Sequence, residues 1–256
     1  MRMIGRLTFL LFLCGLPAGG CIRAAHDERP VTVFAAASTI DAMSEILESF
    51  DAGATNVRVN YASSSALAML VTRGTEADIF LSANQDWADR VQQSVNDFDR
   101  IDLLGNSLVV IAPEDSPLQV NELATLSSTV IRRIAIADPF VVPAGIYARQ
   151  QLVAAGLWQR IEPRVAATAD VRQALALVEQ QAADVGVVYA TDADSSKLVK
   201  VLMRLPGSDS TIVYPLLLLR KPNQNAVVTD LYEFLKSDTA KAIFERHGFR
   251  FLPESN

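Results

Sequence analysis

The sequence predicts an α/β fold of two lobes, each a mainly parallel sheet flanked by helices. From residue 31 onward, short apolar strands alternate with segments whose apolar residues recur at helical spacing, and this alternation is typical of parallel sheets. The alternation ends in turn residues near 106–117 and begins again at residue 133. Two such series predict two lobes, and 256 residues are enough to bury a core in each.

Residues 1–25 have the composition of an export signal. Arg2 and Arg6 precede an apolar run at 7–16, and small residues follow it. The run is too short to span a membrane, so the pattern predicts a cleaved leader. The mature protein is therefore expected in the periplasm, beyond the inner membrane.

Both cysteines, Cys14 and Cys21, lie in this leader, so the mature body has no disulfide and no thiol chemistry. The letters AGGC that end at Cys21 resemble a bacterial lipoprotein cleavage box, in which Cys21 would carry lipid. Ordinary cleavage near Ala24 or Ala25 is the alternative. Either route leaves the mature protein soluble or tethered only at its start.

The first series supplies three strands, each followed by a helix. The strands are VTVFAA (31–36), VRVNYA (57–62) and ADIFLSA (77–83). The helix faces that follow them are marked in turn by Ile40, Met43, Leu47 and Phe50, by Leu67, Leu70 and Val71, and by Trp87 and Val91.

A second series follows the strand at 106–117. Its predicted strands are at 133–138, 163–167 and 184–190, and its predicted helices are within 142–158 and 170–181. A strand at 211–219 and one helix from Val228 to Phe244 close the chain. We assign residues 30–108 and 208–256 to the first lobe and residues 109–207 to the second.

Composition and charge exclude several classes of function. The net charge is −6 and no basic cluster is present, so nucleic acid is not an expected partner. The chain has only His26 and His247, and no His, Cys and carboxylate residues have metal-ligand spacing. No G-x-S-x-G elbow or glycine-rich phosphate loop occurs.

Hydrogen-bond donors occur at the ends of four predicted strands. Ligands of open α/β sheets bind where strands end and helices begin. Hydroxyl groups or uncovered backbone N–H groups occur at each of these ends. They belong to Ser38, to the triplet Ser63, Ser64 and Ser65, to Ala144 and Gly145, and to Val171. Donors at helix N-termini suit an anion that is already fully ionised, and such a site needs no counter-charge.

Each of these residues also has a structural explanation. Ser38 could serve only as a helix N-cap, the serine triplet could be an ordinary loop, and Pro143 before Ala144 marks a helix start. Tyr189 at a strand end could be packing alone. Arg172 is interpreted as a surface residue or as part of an ion pair between the lobes, and not as a ligand.

The rival hypothesis is a secreted serine hydrolase. Ser64 would be its nucleophile, and His247 is the candidate base. The letters RHGF around His247 are explained more simply as a helix C-terminus that stops at Gly248.

Seven motifs together resemble the periplasmic molybdate-binding proteins of bacterial ABC importers. They are VFAAASTIDAM, YASSSALA, ADIFLSANQDWAD, GNSLVVIAP, VPAGIYA, DVRQALALVE and GVVYATDA. The resemblance runs from about Val31 to Phe251. It implies the two-lobed type II periplasmic binding-protein fold, in which a hinge closes both lobes over one tetrahedral oxyanion.

The resemblance also implies the contacts to that ion. Ser38 and Ser64 would donate from the first lobe. Ala144 and Val171 would donate backbone N–H groups from the second, and Tyr189 its phenol. All five would hold the metal through the oxygen atoms of the oxyanion and not as direct ligands. Ala190 and Thr191, where the family often has Gly and Ser, are departures outside this set.

The implied function is capture of molybdate, and of tungstate, for an ABC importer. No cofactor and no enzymatic activity are expected. The implied partners are the membrane permease and its ATPase, and the protein is expected to be a monomer. Another tetrahedral oxyanion such as sulfate is the alternative ligand.

Overall fold

A computed structural model describes residues 29–50, 57–222 and 224–252. The leader at 1–25, Cys21 and His26 lie outside these ranges. The described strands are β1 (Val31–Ala36), β2 (Val57–Ala62), β3 (Ile79–Leu81), β4 (Phe98–Gly105), β5 (Leu108–Pro113), β6 (Ile134–Ala137), β7 (Val165–Thr168), β8 (Val185–Tyr189), β9 (Val199–Arg204), β10 (Val213–Leu219) and β11 (Arg250–Phe251).

The described α-helices lie between these strands. They are α1 (Ile40–Ser49), α2 (Ser64–Thr72), α3 (Gln85–Gln92), α4 (Pro143–Ala154), α5 (Trp158–Ile161), α6 (Val171–Glu179), α7 (Ala190–Asp194), α8 (Ser208–Thr211), α9 (Ala226–Leu235) and α10 (Asp238–Arg246). Three 3₁₀ turns accompany them, at Ala37–Thr39, Leu123–Ser127 and Glu162–Arg164. Within the described ranges, no helix has the length and hydrophobicity required to cross a membrane.

The strands form two mixed sheets. The first has the order β11-β4-β10-β3-β1-β2, and the second has the order β7-β6-β8-β5-β9. In the first sheet β1 pairs in parallel with both β2 and β3, and the remaining pairs are antiparallel. In the second sheet β6 pairs in parallel with β7 and β8, while β5 is antiparallel to its two neighbours.

The predicted pair of α/β lobes is confirmed, but the parallel share of each sheet is smaller than expected. The reason is how the chain passes between the sheets. It leaves the first sheet after β4 through Asn106 and Ser107, and it returns from β9 to β10 through residues 205–212. In the first sheet β4 pairs antiparallel with β10, and in the second sheet β5 pairs antiparallel with β9. The division at 30–108, 109–207 and 208–256 follows these crossings and stays a proposal.

The predicted helix from Val228 to Phe244 is two helices. The first helix ends at Leu235 and the second begins at Asp238. Between them, the Ser237 side chain accepts a hydrogen bond from the backbone N–H of Ala240 at 3.3 Å. A serine that satisfies this N–H starts a new helix, because the first-turn N–H groups have no acceptor within the helix.

Apolar burial holds helices against both sheets. The central strands β1, β5, β6 and β8 are buried on both faces, as expected of strands covered by helices. Helix α4 lies especially close to β6. A Cβ atom at Gly145 would lie 2.0 Å from the carbonyl oxygen of Ala137 and 2.4 Å from that of Asp138. Only glycine therefore fits at this position.

We predict that Gly145→Ala lowers the free energy of unfolding by about 1–3 kcal/mol, because the added methyl group overlaps backbone atoms that cannot rotate away. Urea denaturation of the ligand-free protein measures the effect. Gln150→Ala, on the exposed face of the same helix, is the control and should change stability by less than about 0.5 kcal/mol. Equal stability of both variants would contradict the close packing.

Candidate functional site

All five residues selected from the sequence line one cavity between the two sheets. The free space in the cavity is about that of one water molecule, so it suits an ion or a very small molecule. Its complete lining is Ala36, Ala37, Ser38, Ala62, Ser63, Ser64, Ala83, Val142, Pro143, Ala144, Asp170, Val171 and Tyr189. These strand ends therefore meet around one cavity, and the role of the five residues as ligand contacts stays a prediction.

Ser38 does not cap a helix. It lies inside the 3₁₀ turn Ala37–Thr39, which separates β1 from α1, and no cap of either helical segment makes a side-chain hydrogen bond. The Ser38 hydroxyl instead lies 3.0 Å from the Tyr214 hydroxyl. The cap hypothesis was wrong because the N-cap positions belong to Ala36, before the 3₁₀ turn, and to Thr39, before α1, and Ser38 lies between them.

Ser64 is the first residue of α2, and Ser63 is the cap of that helix. Ser63 Oγ accepts from the backbone N–H of Ala66 at 3.4 Å and lies 3.0 Å from Ser65 Oγ. Ser64 Oγ accepts from the backbone N–H of Ala83 at 2.8 Å. Because that bond uses the oxygen as an acceptor, the Ser64 hydrogen is left for a group in the cavity.

The second lobe presents the starts of two helices to the same cavity. Pro143 opens α4, and Ala144 follows it within the first turn. Val171 opens α6 after the N-cap Asp170, whose carboxylate accepts from the N–H of Gln173 at 2.9 Å. Ala144 and Val171 are in first turns, so their N–H groups have no acceptor within their own helix. The helix dipoles make these ends attractive to anions.

Tyr189 ends β8 and is 1% exposed. Its hydroxyl is buried without a hydrogen-bond partner among the described residues, which is costly unless a ligand supplies the partner. Burial raises the pKa of Tyr189 well above its ordinary value, and the neighbouring Tyr214 adds to the rise. The phenol is therefore neutral and able to donate.

No Lys, Arg or His side chain lines this cavity. Asp170 is the one ionisable carboxylate of the lining, and both its oxygens accept from Gln173. No group of three or more His, Cys, Asp or Glu residues in the described part of the chain could hold a metal ion. The site can therefore bind an anion through hydrogen bonds and dipoles, and not through a cationic side chain or a chelated metal.

Arg172 forms an ion pair between the lobes, which is one of the two interpretations that the sequence allowed. Its Nη2 lies 2.6 Å from Asp41 Oδ2 on α1, and its Nε lies 2.6 Å from Asp192 Oδ1. The Asp192 side chain is fully buried. Burial raises the pKa of Asp192 to about 7, and Arg172 opposes that rise. The guanidinium thus contacts carboxyl groups of both lobes.

A second contact between the lobes is made by α3. Trp87 Nε1 donates to the carbonyl oxygen of Val141 at 2.9 Å. Val141 directly precedes the cavity residues Val142 and Pro143. With the Asp41–Arg172 pair, this bond joins the two lobes next to cavity residues.

The proposed hydrolase pair is not formed. His247 Nε2 lies 2.7 Å from Glu45 Oε2, and Ser64 Oγ is bonded to the Ala83 backbone. Across the described ranges no hydrogen bond joins Ser64 to His247. His247 is the C-cap of α10, so the simpler sequence interpretation of this segment was correct.

Sequence reasoning missed Tyr214, Asn106 and Trp87. Tyr214 lies in an apolar strand and Trp87 at helical spacing, so both patterns indicate packing. Pro215 was the available signal, because proline inside a central strand implies an irregularity. The register of β10 against β4 does shift between Tyr214 and Pro215.

Comparisons with known proteins agree with this architecture. Residues 31–250 match the family described as bacterial extracellular solute-binding proteins. The molybdate-binding protein ModA of Escherichia coli (strain K12) is 41% identical over 234 residues, which cover 88% of this chain and 91% of that protein. The molybdate-binding protein ModA of Haemophilus influenzae is 36% identical over 97% of this chain and 99% of its own.

A solved structure shows the same fold. The periplasmic molybdate-binding protein of Azotobacter vinelandii superposes with a TM-score of 0.76 at 20% identity, over 87% of this chain and 99% of that chain. The family match covers nearly all of the described residues, and the hydrolase hypothesis has no support in the geometry. The chain belongs to the bacterial extracellular solute-binding proteins, which are not enzymes.

Proposed function

We propose that this protein captures molybdate outside the inner membrane and delivers it to an ABC importer. The observation that carries the proposal is the cavity between the sheets, which is small, buried and lined by donor groups without a cationic side chain. Ser38, Ser64, Ala144, Val171 and Tyr189 are the proposed contacts. Tungstate fits the same donors, since the two oxyanions have nearly the same size and charge.

The donor chemistry favours an ion that is fully ionised before it binds. Each hydrogen bond to a charged oxygen is charge-assisted and stronger than a neutral one. A lysine or arginine would add long-range attraction, but the donors alone can satisfy all four oxygens of a tetrahedral dianion. Exclusion of water strengthens every such bond, because the local dielectric constant is lower.

The relatives support molybdate over other oxyanions. Both close relatives are named molybdate-binding proteins and align over most of this chain. An importer needs a permease and an ATPase, and we propose that these are the partners of the closed, loaded form. Lipid attachment at Cys21 belongs to the same proposal and would keep the mature protein near its permease.

We predict that molybdate raises the melting temperature and that sulfate at equal concentration raises it far less. At a hundred times the dissociation constant, a ligand that binds only the native state adds about 2.7 kcal/mol, which corresponds to roughly 5–10 °C for a protein of this size. A thermal-shift series with molybdate, tungstate, sulfate and phosphate is the measurement. Stabilisation by sulfate without any by molybdate would overturn the assignment.

We predict that Ser38→Ala weakens molybdate binding about tenfold to hundredfold, because one hydrogen bond to a charged oxygen is lost. Calorimetric titration measures the affinity. Ser65→Ala is the matched control, since Ser65 is buried in the neighbouring serine triplet but does not line the cavity. Wild-type affinity in a folded Ser38→Ala protein would remove Ser38 from the contact set.

We predict that Asp41→Asn weakens molybdate binding about twofold to fivefold, with little change in the stability of the ligand-free protein. The lost ion pair to Arg172 is partly exposed and worth less than about 1 kcal/mol, and its loss lowers the population of the closed form. Calorimetric titration gives the affinity, and small-angle scattering should show a less compact ligand-free ensemble.

Asp89→Asn is the control for this variant. Asp89 pairs with Arg100 inside the first lobe, and its side chain is 50% exposed against 44% for Asp41. It should bind molybdate like the wild type. Equal affinities for all three proteins would mean that the Asp41–Arg172 pair does not contribute to closure.

A further inference from the structure

Asp170 is the only charged side chain among the described residues that line the cavity between the sheets. It is the N-cap of α6, and Val171, the first residue of that helix, is a proposed contact of the oxyanion. A carboxylate beside an anion site is unexpected, because like charges repel and the proposed ligand carries two negative charges.

Two hydrogen bonds fix this carboxylate at the start of α6. Its Oδ1 accepts from the backbone N–H of Gln173, and its Oδ2 accepts from Nε2 of the same residue, both at 2.9 Å. Both oxygens act as acceptors, which is the role of an ionised carboxylate. The group cannot turn away without losing both bonds, so its charge stays within about one helical turn of the Val171 N–H.

The cap role alone does not require a charge. Asn and Ser cap helices about as well as Asp. The other described N-caps that accept a backbone hydrogen bond through their side chains are all neutral, and they are Ser63, Asn84, Asn225 and Ser237. Among them Ser63 caps α2, which also begins at the cavity. A charged cap at α6 also offsets the positive helix end that would attract an anion.

We propose that the Asp170 carboxylate repels the bound oxyanion and holds its affinity below the value that the donor groups alone would give. The inference rests on the proposed function, because it concerns the same cavity. Arg172 pairs with Asp41 and Asp192 instead, so no ion pair in the described part of the chain neutralises Asp170. A carrier must release its ligand as well as capture it, and a fixed like charge weakens binding without removing a donor.

The test is Asp170→Asn, which removes the charge and keeps a good N-cap. Asp230→Asn is the matched control, since Asp230 is exposed on α9 outside the cavity lining and its variant has the same net charge. Each protein is titrated calorimetrically with molybdate at pH 7, in low and in high sodium chloride. Between about 20 mM and about 0.5 M salt the Debye length falls from roughly 20 Å to roughly 4 Å, so the repulsion is strongly screened only at the higher concentration.

We expect Asp170→Asn to bind molybdate about threefold to tenfold more tightly than the wild type at low salt, and within about twofold of it at high salt. Asp230→Asn should bind like the wild type at both concentrations. A new hydrogen bond from the Asn amide to the ligand would raise the affinity at both concentrations alike. A gain that disappears with salt therefore identifies charge repulsion.

Equal or weaker binding by a folded Asp170→Asn protein at low salt would overturn the inference and leave Asp170 as a helix cap alone. A gain of the same size at both salt concentrations would overturn it too, as would the same gain in Asp230→Asn. If Asp170→Asn does not fold, Asp170→Ser, which is also a neutral cap, must show the salt-dependent gain. Failure of the wild type to bind molybdate would instead refute the proposed function.

Discussion

The cavity depends on the first turns of helices that begin at its wall. An anion enclosed without a cationic side chain can be stabilised only by oriented donors, so the helix starts at Ser64, Pro143 and Val171 must all face the same small space. This requirement explains the residues around them. Alanines 35–37 allow close approach, and Gly145 lets α4 lie against the carbonyl groups that follow β6. Larger side chains at these positions would fill the cavity or move the donors away from it.

Charge is present near the site but is balanced within the protein. Arg172 pairs with Asp41 in one lobe and Asp192 in the other, so its guanidinium contributes to the contact between lobes. Removing a partner from a buried ion pair is costly, because the remaining charge is left uncompensated. Loss of Arg172 would therefore leave the buried Asp192 without its partner, whereas the partly exposed Asp41 can be exchanged at small cost.

The alternation of strands and helices placed Ser38, the serine triplet, Ala144 and Val171 at strand ends that the topology of parallel strands brings together. The family resemblance, and not the pattern, selected the set of five contacts that includes Tyr189. Local pattern was insufficient where a contact joins distant segments. Tyr214 is 176 residues from Ser38, and nothing in its apolar strand indicates a polar role. The strand Phe98–Gly105 was missed because its charged residues interrupt the alternation. The helix break at Ser237 and the 3₁₀ turn at Ser38 were missed because caps and short turns depend on one or two hydrogen bonds.

The most direct test of the proposed oxyanion site is a crystal structure of the molybdate complex with diffraction data collected at the molybdenum absorption edge. We expect one anomalous peak in the cavity between the sheets. Its oxygen atoms should lie within hydrogen-bonding distance of the Ser38, Ser64 and Tyr189 hydroxyl groups and of the Ala144 and Val171 N–H groups. A peak at another position, or an oxyanion held mainly by cationic side chains, would contradict it.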